Sequence, residues 1–450
     1  MNKIVFTVII SSLSLPVFAQ YDSIVVSGHI QNHTLSTIEI TYSDYQEILV
    51  LELDDNGNFK ASADIEEGYY LLNYGRNTAY IFLHPEDELN LTFDADNFDS
   101  TLIFDGKGST RNNYLVEKSR VSTLLTQDLE AFYKVDEPTF MKNLENVENT
   151  HLASLEEFEV EDFFKVSERK QLEYERLFSI QNYTTSYKFY LGEEVQPSQD
   201  FYTPVQALRL DNENDYKKQP YYYYLVNAIW NERIDKAPNI DEMIDILRQV
   251  PFQDLLINLI NNLYSKISPS EERAKDYLDL IKRITTYQPF IESAEKRYLE
   301  VLDAKGLDPG DVSPEFSYES VDGQMVSLSD LKGKYIYIDV WATWCAPCIK
   351  QVPYLKQLEK KYHDKNIVFV SISVDKEEVK ETWKKMIAKK QLGGLQLFAD
   401  KSFDSEFMNA YAVNSIPRFI LIDPEGKIVD TEAPRPSFDK TRTLLDKLLN

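Results

Sequence analysis

Cysteine is nearly absent from this chain. Only two of its 450 residues are cysteine, and both lie in Trp344-Cys345-Ala346-Pro347-Cys348. So few thiols exclude a framework of structural disulfides. They also exclude a closed zinc site. Two thiols do not complete a tetrahedral ligand set, and the nearest histidine, His363, lies past the helix expected after the pair. No metal is therefore expected. Basic residues are scarce too: 48 Lys and Arg stand against 74 Asp and Glu, a net charge of −26. That balance argues against nucleic acid and anionic lipid as partners. After residue 20 no apolar run is long enough for a membrane span, so no stable membrane anchor is expected. Internal repeats and low-complexity tracts are absent as well.

The one apolar stretch of note is at the start. Lys3 gives a short basic beginning, Ile4 to Leu15 is apolar with small polar interruptions, and Val17-Phe18-Ala19 precedes Gln20. This pattern predicts a signal peptide over residues 1–19, removed on export. The residue directly after the cleavage site is Gln20 and not cysteine, which excludes a bacterial lipid anchor. The mature chain is expected outside the cytoplasm, in the periplasm where one exists.

What is present centres on the cysteine pair. Tyr335 to Trp341 reads as a buried strand, and a helix is expected from about Ala346 to Tyr362. Cys345 then sits at the strand-to-helix junction. Free N–H groups and the positive end of the helix dipole stabilise a thiolate there. Cys348 lies one turn further in, placed to close a small disulfide ring. A permanent staple is the competing reading. So short a ring closes little loop entropy and would stabilise little. Asp339 stands in the otherwise apolar strand, where burial would raise its pKa and make it a proton acceptor for Cys348.

Asp339-Val340-Trp341-Ala342-Thr343-Trp344-Cys345-Ala346-Pro347-Cys348, followed by Pro353 and then Ser415-Ile416-Pro417, resembles the thioredoxin-fold domain of TlpA/ResA-type thiol–disulfide oxidoreductases. The resemblance covers about Pro314 to Asn450. It implies an extracytoplasmic oxidoreductase without a cofactor. Cys345, Cys348 and Asp339 would be catalytic, and Cys345 with Cys348 would form the redox-active disulfide. Trp344, Ile416 and a cis Pro417 would contact substrate. Pro353 would kink the active-site helix. The partners implied are a disulfide-containing protein substrate and an unidentified membrane or periplasmic electron donor. Relatives that serve cytochrome maturation carry a glutamate where this chain has Gln351, which weakens that specialised role. A peroxiredoxin reading fails, because its threonine precedes the reactive cysteine by three residues and Thr343 does so by two.

The expected organisation is multidomain. Short alternating stretches between residues 20 and 109, with a turn at Asp55-Asn56-Gly57-Asn58, predict an N-terminal antiparallel β-sandwich. That segment is similar to the β-rich domain preceding TlpA-like domains in large secreted members. Residues 110–305 predict an all-helical middle region. There Tyr221 to Tyr224 is expected to pack one helix face on the sandwich. Residues 306–313 are expected as a linker, and 314–450 as the C-terminal α/β thioredoxin fold. Charge divides unevenly. Asp311 to Asn450 holds 21 acidic and 20 basic residues, and the rest carries 53 acidic and 28 basic, or −25. The leading function is reduction of protein disulfides. The alternatives are a disulfide oxidase or isomerase, or a binding protein whose cysteines sense redox state or lock an interface. Repeated turnover separates enzyme from sensor.

Overall fold

The computed structural model describes residues 23–42, 47–268, 271–303 and 307–449. The expected signal peptide, and Gly306 of the expected linker, lie outside the described residues. The chain forms two compact units that divide between Asn261 and Asn262.

The first unit opens with two four-stranded sheets. One has the order β4-β1-β7-β8, with β1 at Ser23–Gln31, β4 at Asn58–Asp64, β7 at Glu88–Asp94 and β8 at Ile103–Lys107. The other has the order β3-β2-β5-β6, with β2 at Thr37–Thr41, β3 at Glu47–Glu52, β5 at Gly68–Tyr74 and β6 at Asn77–Leu83. Alternation in β1 points Ile24 and Val26 inward, where they join Ile38, Leu72, Ile81 and Leu91 in one core between the sheets. The sandwich is thus as expected, except that β1 and β7 run parallel. A parallel pair needs a long crossover, and here the strands of the second sheet lie within it. The approach is close. A Cβ on Gly28 would lie 1.9 Å from the Leu91 carbonyl oxygen, so only glycine fits. The expected turn at Asp55–Asn58 carries the chain from β3 in one sheet to β4 in the other, with the Asp54 carboxylate accepting the N–H groups of Asn56 and Asn58.

Helices fill the rest of this unit, among them Ser109–Leu125, Glu137–Glu157, Asp162–Gln181 and Pro220–Lys236. Buried polar groups tie them to the sandwich. Glu168 accepts from Tyr69 at 2.5 Å and pairs with Lys118 at 2.8 Å, while Arg111 pairs with Asp87. The tyrosine run does not present one face. Consecutive helical residues point about 100° apart. Tyr222 is fully buried against Tyr174, whereas Tyr224 meets Tyr80 of β6 with hydroxyls 3.3 Å apart.

The second unit carries two helices, Ala274–Ile284 and Gln288–Asp303, and then the thioredoxin-like domain. Its seven-stranded sheet has the order β10-β9-β13-β12-β11-β14-β15. The strands are β9 (Ser317–Ser320), β10 (Met325–Ser327), β11 (Tyr335–Trp341), β12 (Ile367–Ser373), β13 (Leu395–Phe398), β14 (Arg418–Ile422) and β15 (Ile428–Asp430). The central β11 pairs parallel with β12 and antiparallel with β14. Strand parity sorts its side chains. Ile336, Ile338 and Val340 face a core holding Trp383 and Phe407. Tyr337 faces the other, with Leu355 and Leu358 of the helix Ala346–Lys361. Asp339 shares the parity of Tyr337 and so lies beneath that helix.

Leu307–Ser313, within the expected linker, is bound to this domain. Gly310 N–H donates to Ile428 O at 2.7 Å, Val312 bridges to Lys427, and Ser313 N–H donates to Gly426 O at 2.9 Å. The reason is physical: the segment satisfies backbone groups beside the β14–β15 hairpin that would otherwise need water.

Candidate active site

Three devices place the cysteine pair. β11 ends at Trp341, and the next turn is held by Asp375, fully buried just past β12. The Asp375 carboxylate accepts from Thr343 N–H, from the Thr343 hydroxyl and from the Ser373 hydroxyl, each at 2.8 Å. Cys345 then caps the helix Ala346–Lys361, its Sγ accepting the Cys348 N–H at 3.2 Å. Pro347 falls in the first helical turn, where its missing N–H costs nothing. Pro353 lies within the helix, which continues through it to Lys361. Replacing Asp375 by alanine strands the Thr343 N–H. It should lower the stability of the domain by about 1–3 kcal/mol. Thermal unfolding followed by tryptophan fluorescence checks this, and an unchanged midpoint would remove Asp375 from the loop's support.

Cys345 and Cys348 form a disulfide with Cα atoms 5.2 Å apart. Both are buried, at 3% and 2% exposure, so exposure does not distinguish them. Their surroundings do. Trp344, immediately before Cys345, is 39% exposed. Cys348 lines a small cavity with Asp339, Leu355, Glu359, Ser371 and Gln396. The peptide Ile416-Pro417 is cis, and Ile416 packs against the cluster containing both cysteines. Of the expected site residues, Trp344, Cys345 and Cys348 are joined by sequence and the disulfide, Asp339 meets Cys348 at the cavity, and Ile416 packs on the same domain core.

Asp339 is 6% exposed, and its Oδ1 has no hydrogen-bond partner. Loss of hydration pushes its carboxyl up to about 7, the Ser371 hydroxyl opposes this, and the nearby Glu359 adds to it. Such a group exchanges its proton near neutral pH, as a general base must. Gln351 is not in the cavity. Its Oε1 accepts the Ser437 N–H at 3.1 Å, so the side chain is engaged elsewhere.

Two groups escaped sequence reasoning. Asp375 reads as an ordinary strand-end acid. Glu359 is half-buried and held above the usual carboxyl range by lost hydration. A signal for Glu359 existed: Cys348, Val352, Leu355 and Glu359 follow the spacing of a single helix face, and all four line the cavity.

The Redoxin family model matches residues 308–447. Thiol-disulfide oxidoreductase ResA of Bacillus cereus is 30% identical over 146 residues, 32% of this chain and 76% of that protein. The chain belongs to the ResA-type thiol–disulfide oxidoreductases. It is also similar to the thioredoxin-like protein YneN of Bacillus subtilis, with 33% identity over 130 residues, 28% of this chain and 71% of that one. Among solved structures, a putative thiol-disulfide oxidoreductase from Bacteroides vulgatus is 50% identical, covering 32% of this chain and 91% of its own, with a TM-score of 0.29. As a family member this chain is a thioredoxin-like oxidoreductase, a family that acts on disulfide-containing substrates, and its second unit holds the Cys345–Cys348 disulfide.

Proposed function

We propose that this oxidoreductase works outside the cytoplasm and reduces protein disulfides. The observation that carries the reading is the coupling of one cysteine to the surface and the other to a buried acid. Cys345 caps the helix beside exposed Trp344, and Cys348 shares a small cavity with Asp339. In the proposed reaction Cys345 thiolate attacks a substrate disulfide, and one substrate sulfur leaves as a thiolate that takes a proton from water. Cys348 then gives its proton to the Asp339 carboxylate and attacks Cys345 Sγ. The Cys345–Cys348 bond forms, the mixed disulfide breaks, and the second substrate sulfur leaves reduced. The dithiol has lost two electrons and the substrate has gained them. Trp344, Ile416 and the backbone before Pro417 hold the substrate strand. A membrane or periplasmic donor restores the dithiol.

Location rests on the pattern of residues 1–20 and on the chain's low cysteine count. Among the described residues no helix is long and apolar enough to cross a membrane. Direction rests on what surrounds the pair. Between Leu331 and Lys350 the basic residues are Lys332 and Lys334, at the far end of β11, and Ala346-Pro347 carries no histidine. Thiolate stabilisation then comes mainly from the helix terminus and is moderate. Equilibrating the full chain against glutathione buffers tests this. The expected potential lies near the thioredoxin value of about −270 mV, and one above about −180 mV would make the enzyme an oxidase or isomerase.

A further inference from the structure

The cavity behind Cys348 holds a feature that the proposed proton transfer leaves unused. Glu359 sits three helical turns beyond Cys348 on the same helix, and its carboxylate rests on a glycine bed. A Cβ on Gly393 would lie 2.2 Å from Glu359 Oε2, and one on Gly394 would lie 2.9 Å from Oε1. A side chain at either position would displace the carboxylate. Gly394 also has φ of +62°, a conformation that disfavours other residues. This loop thus leaves room for an acid at the mouth of the cavity.

The inner wall completes the arrangement. Asp339 Oδ1 and Gln396 Oε1 are both buried without a hydrogen-bond partner, and both residues line the cavity. Buried acceptors in that state call for a donor. The space between them admits roughly one water, which needs two to four polar partners and finds them here. The titratable groups lining the cavity, among the described residues, are Asp339 from β11 and Cys348, Lys356 and Glu359 from the active-site helix. β12 contributes Ser371, β13 contributes Gln396, and the loop before β13 contributes Gly393. Lys356 donates its Nζ to the Lys390 carbonyl at 2.6 Å and keeps its charge, which lowers the Glu359 carboxyl, but lost hydration outweighs it and leaves that carboxyl raised.

Resting on the reaction proposed above, we propose that Glu359 and Asp339 act as one two-carboxyl proton site. Between turnovers both groups are carboxylates facing one cavity, with half-buried Glu359 as the exit to solvent. When Cys348 gives up its proton, Asp339 takes it and the Cys348 thiolate displaces the substrate sulfur from Cys345. The proton then passes by way of the cavity to the Glu359 carboxylate and to bulk water. No electrons move in the relay, and its starting state is restored. Two carboxyls facing one cavity do not ionise independently, so Glu359 is a positioning residue whose charge adds to lost hydration in raising the pH at which Asp339 becomes a base.

Stopped-flow reaction of the reduced full chain with dithiobis(nitrobenzoate) separates the steps. The first thionitrobenzoate released reports attack by Cys345, and the second reports resolution by Cys348. In Glu359→Gln the pH midpoint of the second release should fall by about one unit, because a like charge is gone. Near pH 6 that release should then be about 5–10-fold faster than in the parent chain, with the first release as internal control. Gly393→Ala, which displaces the carboxylate without removing an acid, should move the midpoint the same way. Glu359→Asp should restore most of the parent profile. An unchanged midpoint in both Glu359→Gln and Gly393→Ala overturns the inference, whatever either variant does to stability. If the parent's second release is itself independent of pH between 5 and 9, the Asp339 base fails and the relay falls with it. A parent that titrates beside an unresponsive Glu359→Gln rejects the relay alone.

Discussion

Asparagine at position 339 should make the oxidised protein more stable at pH 8 by about 2–4 kcal/mol, and leave it nearly unchanged at pH 4. The sign follows from burial. Asp339 is 6% exposed, and loss of hydration pushes its carboxyl from 3.8 up to about 7. Between these values the folded protein keeps a proton that the unfolded chain releases. The stability tied to that proton is complete below about pH 4 and is lost as pH rises through 7. Above 7 the fold holds a buried carboxylate whose Oδ1 lacks a partner. Asparagine is neutral throughout, so the slope disappears. About three pH units at ~1.36 kcal/mol each set an upper bound near 4, and the amide's own unmet hydrogen bonds reduce it. Urea unfolding at pH 4 and pH 8 measures the effect. Trp341, Trp344 and Trp383 all lie in this domain and report its transition. Equal slopes in the two proteins would place the shifted proton elsewhere. The same variant should resolve a mixed disulfide about a hundredfold more slowly, the usual loss when a general base is removed. Stability would then have been traded for proton transfer at this position.

The site was legible where chemistry is local in sequence. The apolar run Tyr335–Trp341, the capping position of Cys345 and the motif around Pro417 each lie within a few residues, and each appears as expected. Legibility failed where tertiary placement decides. Nothing near Glu359 announces that Gly393 and Gly394 leave space for its carboxylate. Asp375 acts on Thr343 from 32 residues away, through adjacent parallel strands. Gln351, where relatives that serve cytochrome maturation carry a glutamate, is held through its side-chain amide by Ser437, 86 residues on. In the first unit, alternation revealed the sandwich but not the parallel pairing of β1 with β7. Strand periodicity carries no information about direction. Four adjacent tyrosines looked like one surface, and helical geometry spread them.

Serine at position 348 should convert this enzyme into a trap. Both sulfurs are equally buried in the disulfide, so the order of attack must come from electrostatics and access. Cys345 Sγ accepts the Cys348 N–H at the helix start, where the terminal N–H groups and the dipole favour a thiolate. Trp344, next to Cys345, is itself exposed, and Cys348 lines the cavity beside Asp339. In the reduced protein Cys345 should therefore be alkylated about a hundredfold faster than Cys348 near pH 7, on the scale by which thiolate fraction controls thiol reactivity. In Cys348→Ser the first attack should proceed at the parent rate. A serine hydroxyl is too weak an acid to displace the substrate sulfur, so the mixed disulfide on Cys345 should persist at least about a thousandfold longer than in the parent. Cys345→Ser should form no adduct at all. Mass spectrometry of each variant after exposure to a disulfide-bonded protein distinguishes these states. Adducts on Cys348 in Cys345→Ser, at a rate matching the parent, would reverse the two roles and leave Asp339 beside the attacking sulfur.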